Sequence, residues 1–414
     1  MLEHLIVFGG KGGVGKSSIS AATAVKIADM LPDKKVLLIS FDIAHNLGDL
    51  FKMEIGNKIS QITNNLWAIE PDPDEYAEKY TKEFSAKARS LVKSFPIVGA
   101  IPELEKFIDD TFTSKSIPLA LKNSIFFQSI LDADHPIENL DHGDARQTPF
   151  NIIVADFPPT GNMIALFEIP ENHIQQLLKY TLQMVEQIQK FMKTVRKVTK
   201  AMNPLSWLKK ESEEEKQKRE IARELLDDLY NLELRGKRIS ELMKSIGSLR
   251  LVTIAEKPSV EEAKRARELS VPYIHVDGIH INRLLTSNVA ENCKFCSSLF
   301  SSQQKYLRMI QEEFKDIKDW TSEYLENEPI GLDGLRNLAN SVFEDSDIKS
   351  ILNPLNRDIQ RPDFLEDKEN KPFKKIENAD SNEDDEDSEF TDEEIQEYLK
   401  KVNKNKEVEK SENN

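Results

Sequence analysis

A lysine and a hydroxyl close the glycine-rich run Gly10 to Ser18, GKGGVGKSS, which directly follows the apolar Leu5-Ile6-Val7-Phe8. The spacing fits G-x-x-x-x-G-K-[ST], with Gly10, Gly15, Lys16 and Ser17 at the fixed positions. Such a loop closes its backbone N–H groups around phosphate oxygens, and side chains at Gly12, Gly13 and Gly15 would obstruct that approach. Residues Gly10, Lys11, Gly12, Gly13, Val14, Gly15, Lys16, Ser17 and Ser18 are therefore read as the cradle of a nucleotide, expected to be ATP. Lys16 would supply positive charge and Ser17 a ligand for Mg²⁺. Ser18 to Met30 reads as a helix whose N-terminus faces the phosphates. Lys11 adds a second lysine, giving GKGGVGK. Within one chain it has no evident phosphate to reach, so it points to a charge offered across a dimer interface; a solvated loop lysine is the plain alternative.

Two carboxylates stand where such a site needs them. Lys35 to Phe41 (KVLLISF) is a continuous apolar run ending at Asp42, the pattern of a strand buried on both faces of a parallel sheet. Parallel sheets bind ligands at the carboxyl ends of their strands, so Asp42 should arrive beside the loop. Helix capping is the other use of an aspartate there. Asn151 to Ala155 (NIIVA) repeats the pattern and ends at Asp156, an acid placed to hold a magnesium shell through water. Phe157-Pro158-Pro159-Thr160-Gly161-Asn162 then makes a turn that can order with a terminal phosphate. Farther on, Cys293-Lys294-Phe295-Cys296 offers two thiolates, half of a tetrahedral Zn²⁺ site. These are the chain's only two cysteines, so a four-cysteine site needs a second copy of the chain. A redox pair, or a site completed by His275 or His280, are the alternatives.

The elements that must position these groups read as α/β: a phosphate-loop NTPase with a mostly parallel sheet flanked by helices, plus an inserted α-helical subdomain. Strands are predicted at Leu249 to Ile254 and at Tyr273 to Ile281, the latter ending in Asn282-Arg283-Leu284. A capping box, Ser259 with Glu262, should open a helix from Val260 to Leu269. Further helices are expected near Gln303 to Phe314 and from Asp333 to Phe343. Tyr76, Tyr80, Phe84 and Leu91, and later Ile174, Leu178, Val185, Ile188, Met192 and Val195, recur at helical spacing. Residues 72–147 and 172–246 are accordingly assigned to the helical subdomain, and 1–71, 148–171 and 247–345 to the nucleotide-binding core.

Residues 346–414 read as an acidic, disordered tail. Glu366 to Asn414 carries 18 acidic against nine basic residues, too little apolar surface to offset chain entropy. Thr391 and Glu394 make a capping box inside it, before Ile395, Tyr398, Leu399 and Val402. A net charge of −16 with scattered cations argues against nucleic acid as a partner. No apolar stretch reaches about 18 residues, and the start lacks a signal-peptide pattern, so a chain that does not span a membrane and works in the cytoplasm is expected.

Taken together, Gly10 to Ser18, Asp42 to Asp49, Asp156 to Gly161, Asn282 to Leu285 and Cys293/Cys296 resemble the ATPases that target tail-anchored membrane proteins, single-domain relatives of the arsenical pump ATPase. The resemblance covers roughly residues 1 to 345. It implies that Lys11 reaches the other subunit's nucleotide and that Asp42 orients or deprotonates the attacking water. It also implies that Asp156 supports magnesium, that Asn282 hydrogen-bonds adenine with Pro329 packing on the base, and that Cys293 and Cys296 share one zinc between two subunits. A homodimer is implied, with client transmembrane helices and a membrane receptor as partners; driving arsenite or oxyanion efflux is the alternative. The face Ile174 to Val195, its counterpart around Phe84 to Phe107, and Met163, Met184, Met192, Met202 and Met243 would then line a client groove. The switch loops depart from the family pattern: Ile43 replaces a proline, Gly48 a serine, and Asp-Phe-Pro-Pro-Thr-Gly-Asn replaces Asp-Thr-Ala-Pro-Thr-Gly-His.

Overall fold

The computed structural model describes residues 2–42, 47–72, 74, 82, 86, 150–167, 239–291, 293–344 and 346–359. Two compact units divide the chain, and the first consists of Met1–Ala77, Pro118–Ile169 and Lys237–Asp363. Nearly everything described belongs to it. The groove residues outside Met163 and Met243, together with His45, Thr391 and Glu394, lie outside the described residues.

Eight strands form one sheet, β1 (His4–Gly10), β2 (Val36–Ser40), β3 (Ser60–Gln61), β4 (Leu66–Ile69), β5 (Ile152–Asp156), β6 (Gly247–Ile254), β7 (His275–Leu284) and β8 (Lys318–Glu323). Their order is β3-β4-β2-β5-β1-β6-β7-β8. Every neighbouring pair is parallel except β3 with β4. The apolar runs do what their composition dictates: β2 and β5 are buried at every residue, as strands covered on both faces must be.

One face is covered by α1 (Lys16–Met30) and a helix near the end of the chain, Gly331–Phe343. Ile6 and Phe8 meet Ile19, Ala22, Val25, Leu335, Leu338 and Val342 there in one buried cluster. Four alanines among the buried positions of α1 let it lie close to both neighbours. Arg336 clamps the pair with two bonds to Asp29, Nε to Oδ2 at 2.8 Å and Nη2 to Oδ1 at 3.1 Å. Strand alternation turns Leu5 and Val7 to the opposite face, and a helix at Lys257–Ser270 packs against β6 and β1. In chain order the helices are α1, α2 (Leu47–Phe51), α3 (Lys257–Ser270), α4 (Ser287–Glu291), α5 (Lys294–Glu313), α6 (Gly331–Phe343) and α7 (Ile348–Leu352). No helix among the described residues is long and apolar enough to cross a membrane.

Several expectations change on contact with the coordinates. α3 opens at Lys257 with Glu256 as N-cap and no side-chain capping bond. Pro258 near its start, with φ already fixed for a helix, does what the Ser259/Glu262 box was expected to do, and Ser259 is buried inside with its hydroxyl unpaired. α5 begins nine residues before Gln303, directly on the cysteine pair. Met163 and Met243 are core residues, 0% and 3% exposed, so neither lines a groove. Ile239, Leu242, Met243 and Ile246 are buried in the described unit as well, since residues 239–246 form a helix leading straight into β6.

Residues 346–359 pack onto the fold instead of leaving it. Ile351 of α7 is fully buried. Arg357 donates Nε and Nη2 to Asp277 Oδ2 at 3.0 and 2.8 Å, and Nη2 to the Gly247 carbonyl at 2.9 Å. Asp277, 1% exposed, is the extra residue where β7 slips register against β6, since Leu249 pairs with Val276 but Arg250 with Gly278. Above it lies a buried polar stack. The Arg250 guanidinium sits 5.0 Å from the Trp320 ring and donates to the Ile351 carbonyl, while His280 stacks on the same indole at 4.7 Å. Burial lowers Arg250 to about 10, which leaves it a cation, and drives His280 well below its usual value, which leaves it neutral.

Candidate functional site

The glycine-rich loop leaves the carboxyl end of β1, an inner strand between β5 and β6. Gly10 is required by a close approach: a Cβ there would stand 2.3 Å from the Val252 carbonyl oxygen. Gly15 is required twice. It caps α1 in the left-handed region, φ 92°, and a Cβ would stand 2.3 Å from Asn282 Nδ2. Around Gly12 and Gly13 the protein leaves open space or ordinary contact, so no protein atom causes the obstruction expected at those two positions. No acidic residue occupies the first turn of α1, which leaves the positive end of its dipole to whatever anion the loop receives.

Lys16 is 4% exposed, and its ammonium lies back across the loop, donating to the Lys11 carbonyl at 3.4 Å. The Lys11 side chain is exposed, and Ser18 is half-buried. Ser17 Oγ donates to Asp156 Oδ2 at 2.6 Å, which joins the loop to the end of β5. Ser40, the last residue of β2, donates to the same oxygen at 3.3 Å and accepts the Asp42 N–H at 3.3 Å. Ser17, Ser40, Asp42 and Asp156 are thus brought together as the alternation of buried strands implied. Ser40 was not singled out from the sequence, although a lone hydroxyl closing the strand Val36–Ser40 is a readable signal.

Asp156 is fully buried and its Oδ1 has no partner. Desolvation lifts its pKa to about 6, against the pull of the Ser17 and Ser40 hydroxyls and Lys16, with Asp42 adding to the rise. The linkage has a definite sign. A carboxyl raised on folding contributes stability that is whole below its unfolded pKa, near 3.8, and is lost as pH climbs through about 6. In nucleotide-free and magnesium-free protein, Asp156→Asn should therefore gain on the wild type between about pH 4 and pH 7, read as denaturant midpoints. A difference that stays constant with pH would show an ordinary carboxyl.

Asn282 lies on β7, turned into the loop. Its Nδ2 donates to the Val14 carbonyl at 2.9 Å, and its Oδ1 accepts Ser322 Oγ at 2.7 Å and the Arg283 N–H at 2.9 Å. One amide N–H remains for a base. Pro329 packs on Gly334 just before α6, where a Cβ on the glycine would stand 2.9 Å from the Pro329 carbonyl carbon. Among the described contacts nothing joins Pro329 to Asn282. Ser322 belongs to β8, a strand the sequence reading missed because Lys318–Glu323 mixes charged and apolar residues.

Cys293 is the N-cap of α5 and Cys296 lies in its first turn, with the Cys296 N–H donating to Cys293 Sγ at 3.3 Å. The neighbouring Cys296 thiol lowers the Cys293 pKa and is itself raised. Neither histidine completes this pair. His275 opens β7, some 30 Å of extended strand before its end at Leu284, and His280 is sealed beneath Trp320. Among the described residues no group of three or more His, Cys, Asp or Glu is placed to hold a metal ion.

The sequence pattern of the anion-transporting ATPase family matches residues 3–344. Among similar proteins, "Putative arsenical pump-driving ATPase 1" of Aquifex aeolicus is 27% identical over 358 residues, covering 83% of this chain and 79% of its own. "ATPase GET3" of Meyerozyma guilliermondii is 27% identical over 357 residues, covering 83% of this chain and 90% of its own. "ATPase GET3" of Zygosaccharomyces rouxii is 27% identical over 348 residues, with 81% and 88% covered.

Proposed function

The chain belongs to the anion-transporting ATPase family, and on that premise we propose that it is a homodimeric cytosolic factor which binds the transmembrane segment of tail-anchored membrane proteins and delivers it to a membrane receptor. ATP hydrolysis is the activity common to the family. Val14 and Gly15 N–H groups, the start of α1 and Lys16 would receive the β- and γ-phosphates. The Ser17 hydroxyl and the unpaired, buried Asp156 Oδ1 fit the inner and outer shells of Mg²⁺, which when bound neutralises phosphate charge. Asp42, tied through Ser40 to that carboxylate, would hold the attacking water and take its proton. Lys11, exposed at the loop, would serve the partner's nucleotide.

The feature that favours targeting over pumping is the conjunction of one phosphate loop per chain with paired thiols at the start of α5. Two adjacent sulfurs fit half of a tetrahedral Zn²⁺ site, so a second copy would complete it. An oxyanion pump is the second reading, favoured by the names of the bacterial relatives. Soft arsenite ligation would draw on more thiols than the two this chain has. The helical insertions, 72–147 and 172–246, would supply the client groove.

The deciding experiment presents purified protein with a tail-anchored client helix and, separately, with arsenite. Capture of the helix is expected, and should be abolished in Ile188→Asp/Met192→Asp with ATP binding retained. Arsenite-stimulated turnover without helix capture would sink the targeting reading and support the pump.

A further inference from the structure

Consecutive residues of a strand face opposite sides of the sheet, yet Asn282 and Arg283 both reach the phosphate loop. Arg283 manages this by adopting φ 60°, a left-handed conformation outside glycine's usual preserve. Its Nη1 donates to the Gly13 carbonyl at 3.0 Å, next to the Asn282 bond to the Val14 carbonyl. The conformation is held from outside. Gln303 of α5, 7% exposed, donates Nε2 to the Arg283 carbonyl at 2.9 Å and accepts the Leu285 N–H at 2.8 Å. One buried amide thus grips the main chain at and just beyond the strained residue, as stored backbone strain requires.

We propose that Asn282 and Arg283 form a clamp on the outer side of the phosphate loop, with Arg283 as a positioning residue for ATP binding. In a trans peptide the C=O and the following N–H point in opposite directions. Drawing the Gly13 carbonyl to Arg283 aims the Val14 N–H the other way, and drawing the Val14 carbonyl to Asn282 does the same for the Gly15 N–H. Two successive N–H groups are thereby preset for one anion, with φ 82° at Gly13 and 92° at Gly15 shaping the concavity. Neither side chain touches phosphate. The inference rests on the phosphate-loop reading above.

The test replaces Arg283 by glycine, which relieves the left-handed backbone and removes the guanidinium. A residue that only filled space would leave nucleotide affinity unchanged. The clamp instead predicts that ATP and ADP bind about 3- to 10-fold more weakly, the scale of one hydrogen bond to a charged group near the surface. Adenosine, which has no phosphate, should bind as in wild type, and Arg283→Lys should recover most of the loss. ATP and ADP affinities within twofold of wild type, or an equal loss for adenosine, would overturn the clamp. Arg283→Asn, which tolerates the left-handed region but is too short to reach, is judged by the same criteria if the glycine variant does not fold. Lys16→Ala separates the two claims. Normal ATP binding in that variant would overturn the phosphate-loop reading and the clamp with it, whereas lost binding there beside normal binding in Arg283→Gly would overturn the clamp alone.

Discussion

Asp42→Asn is expected to slow ATP turnover by about 10² or more while ATP still binds, the scale of a lost general base. The substitution keeps size and shape, and the Asp42 main-chain N–H would keep its bond to Ser40 Oγ, so the end of β2 need not move. What disappears is the carboxylate's capacity to take a proton. The neighbouring Asp156 cannot replace it: that side chain is fully buried, bonded to Ser17 and Ser40, and lifted to about 6. Single-turnover rates and equilibrium nucleotide binding, measured side by side, separate the two effects. Undiminished turnover in Asp42→Asn would remove this residue from the chemistry.

The second large effect is expected far from any nucleotide. Arg357→Leu should cost about 3 kcal/mol of stability, because it leaves Asp277 charged, buried and without its ion-pair partner. For a unit of about 200 residues that corresponds to a fall of roughly 6–12 °C in melting temperature. Truncation after residue 345 should do at least as much, since it also removes Ile351 and its carbonyl bond to Arg250. Restoring part of the loss by Asp277→Asn in the Arg357→Leu background would identify the buried charge as the cause. Wild-type denaturant midpoints for both the single variant and the truncation would mean that 346–359 is no part of the stable unit.

The central strands and the loop were legible because their causes are local. An unbroken apolar run such as Val36–Ser40 admits few places but the middle of a parallel sheet, and the loop's glycines answer to backbone geometry at their own positions. The acids followed from where strands end. What escaped the sequence was set by distant partners. β8 alternates Trp320 and Ser322 inward with charge between them, too short a signal until β7 supplies its other edge. Arg283 reads as an ordinary strand-end cation, and nothing nearby announces that Gln303, twenty residues on, will hold it left-handed. Residues 346–359 looked like the beginning of an acidic tail because Arg357 has no meaning without Asp277.

The register slip at Asp277 has a reach beyond its own ion pair. Side chains alternate along a strand, so one extra residue reverses the phase of everything after it relative to β6. With it, Asn282 falls opposite Ile254; without it, Ile281 would take that place. Asp277 and Asn282 are about 16 Å apart along the strand, yet they form one counting problem. Removing a single residue between Val276 and Gly278 leaves two ways to close the gap. Either His275 and Val276 turn over at the near end, or Asn282 and Arg283 are drawn back one place and their side chains leave the loop. The amino end of β7, where no nucleotide chemistry takes place, thereby keeps the phase for the end where it does, and a length change at one end is an error of orientation at the other.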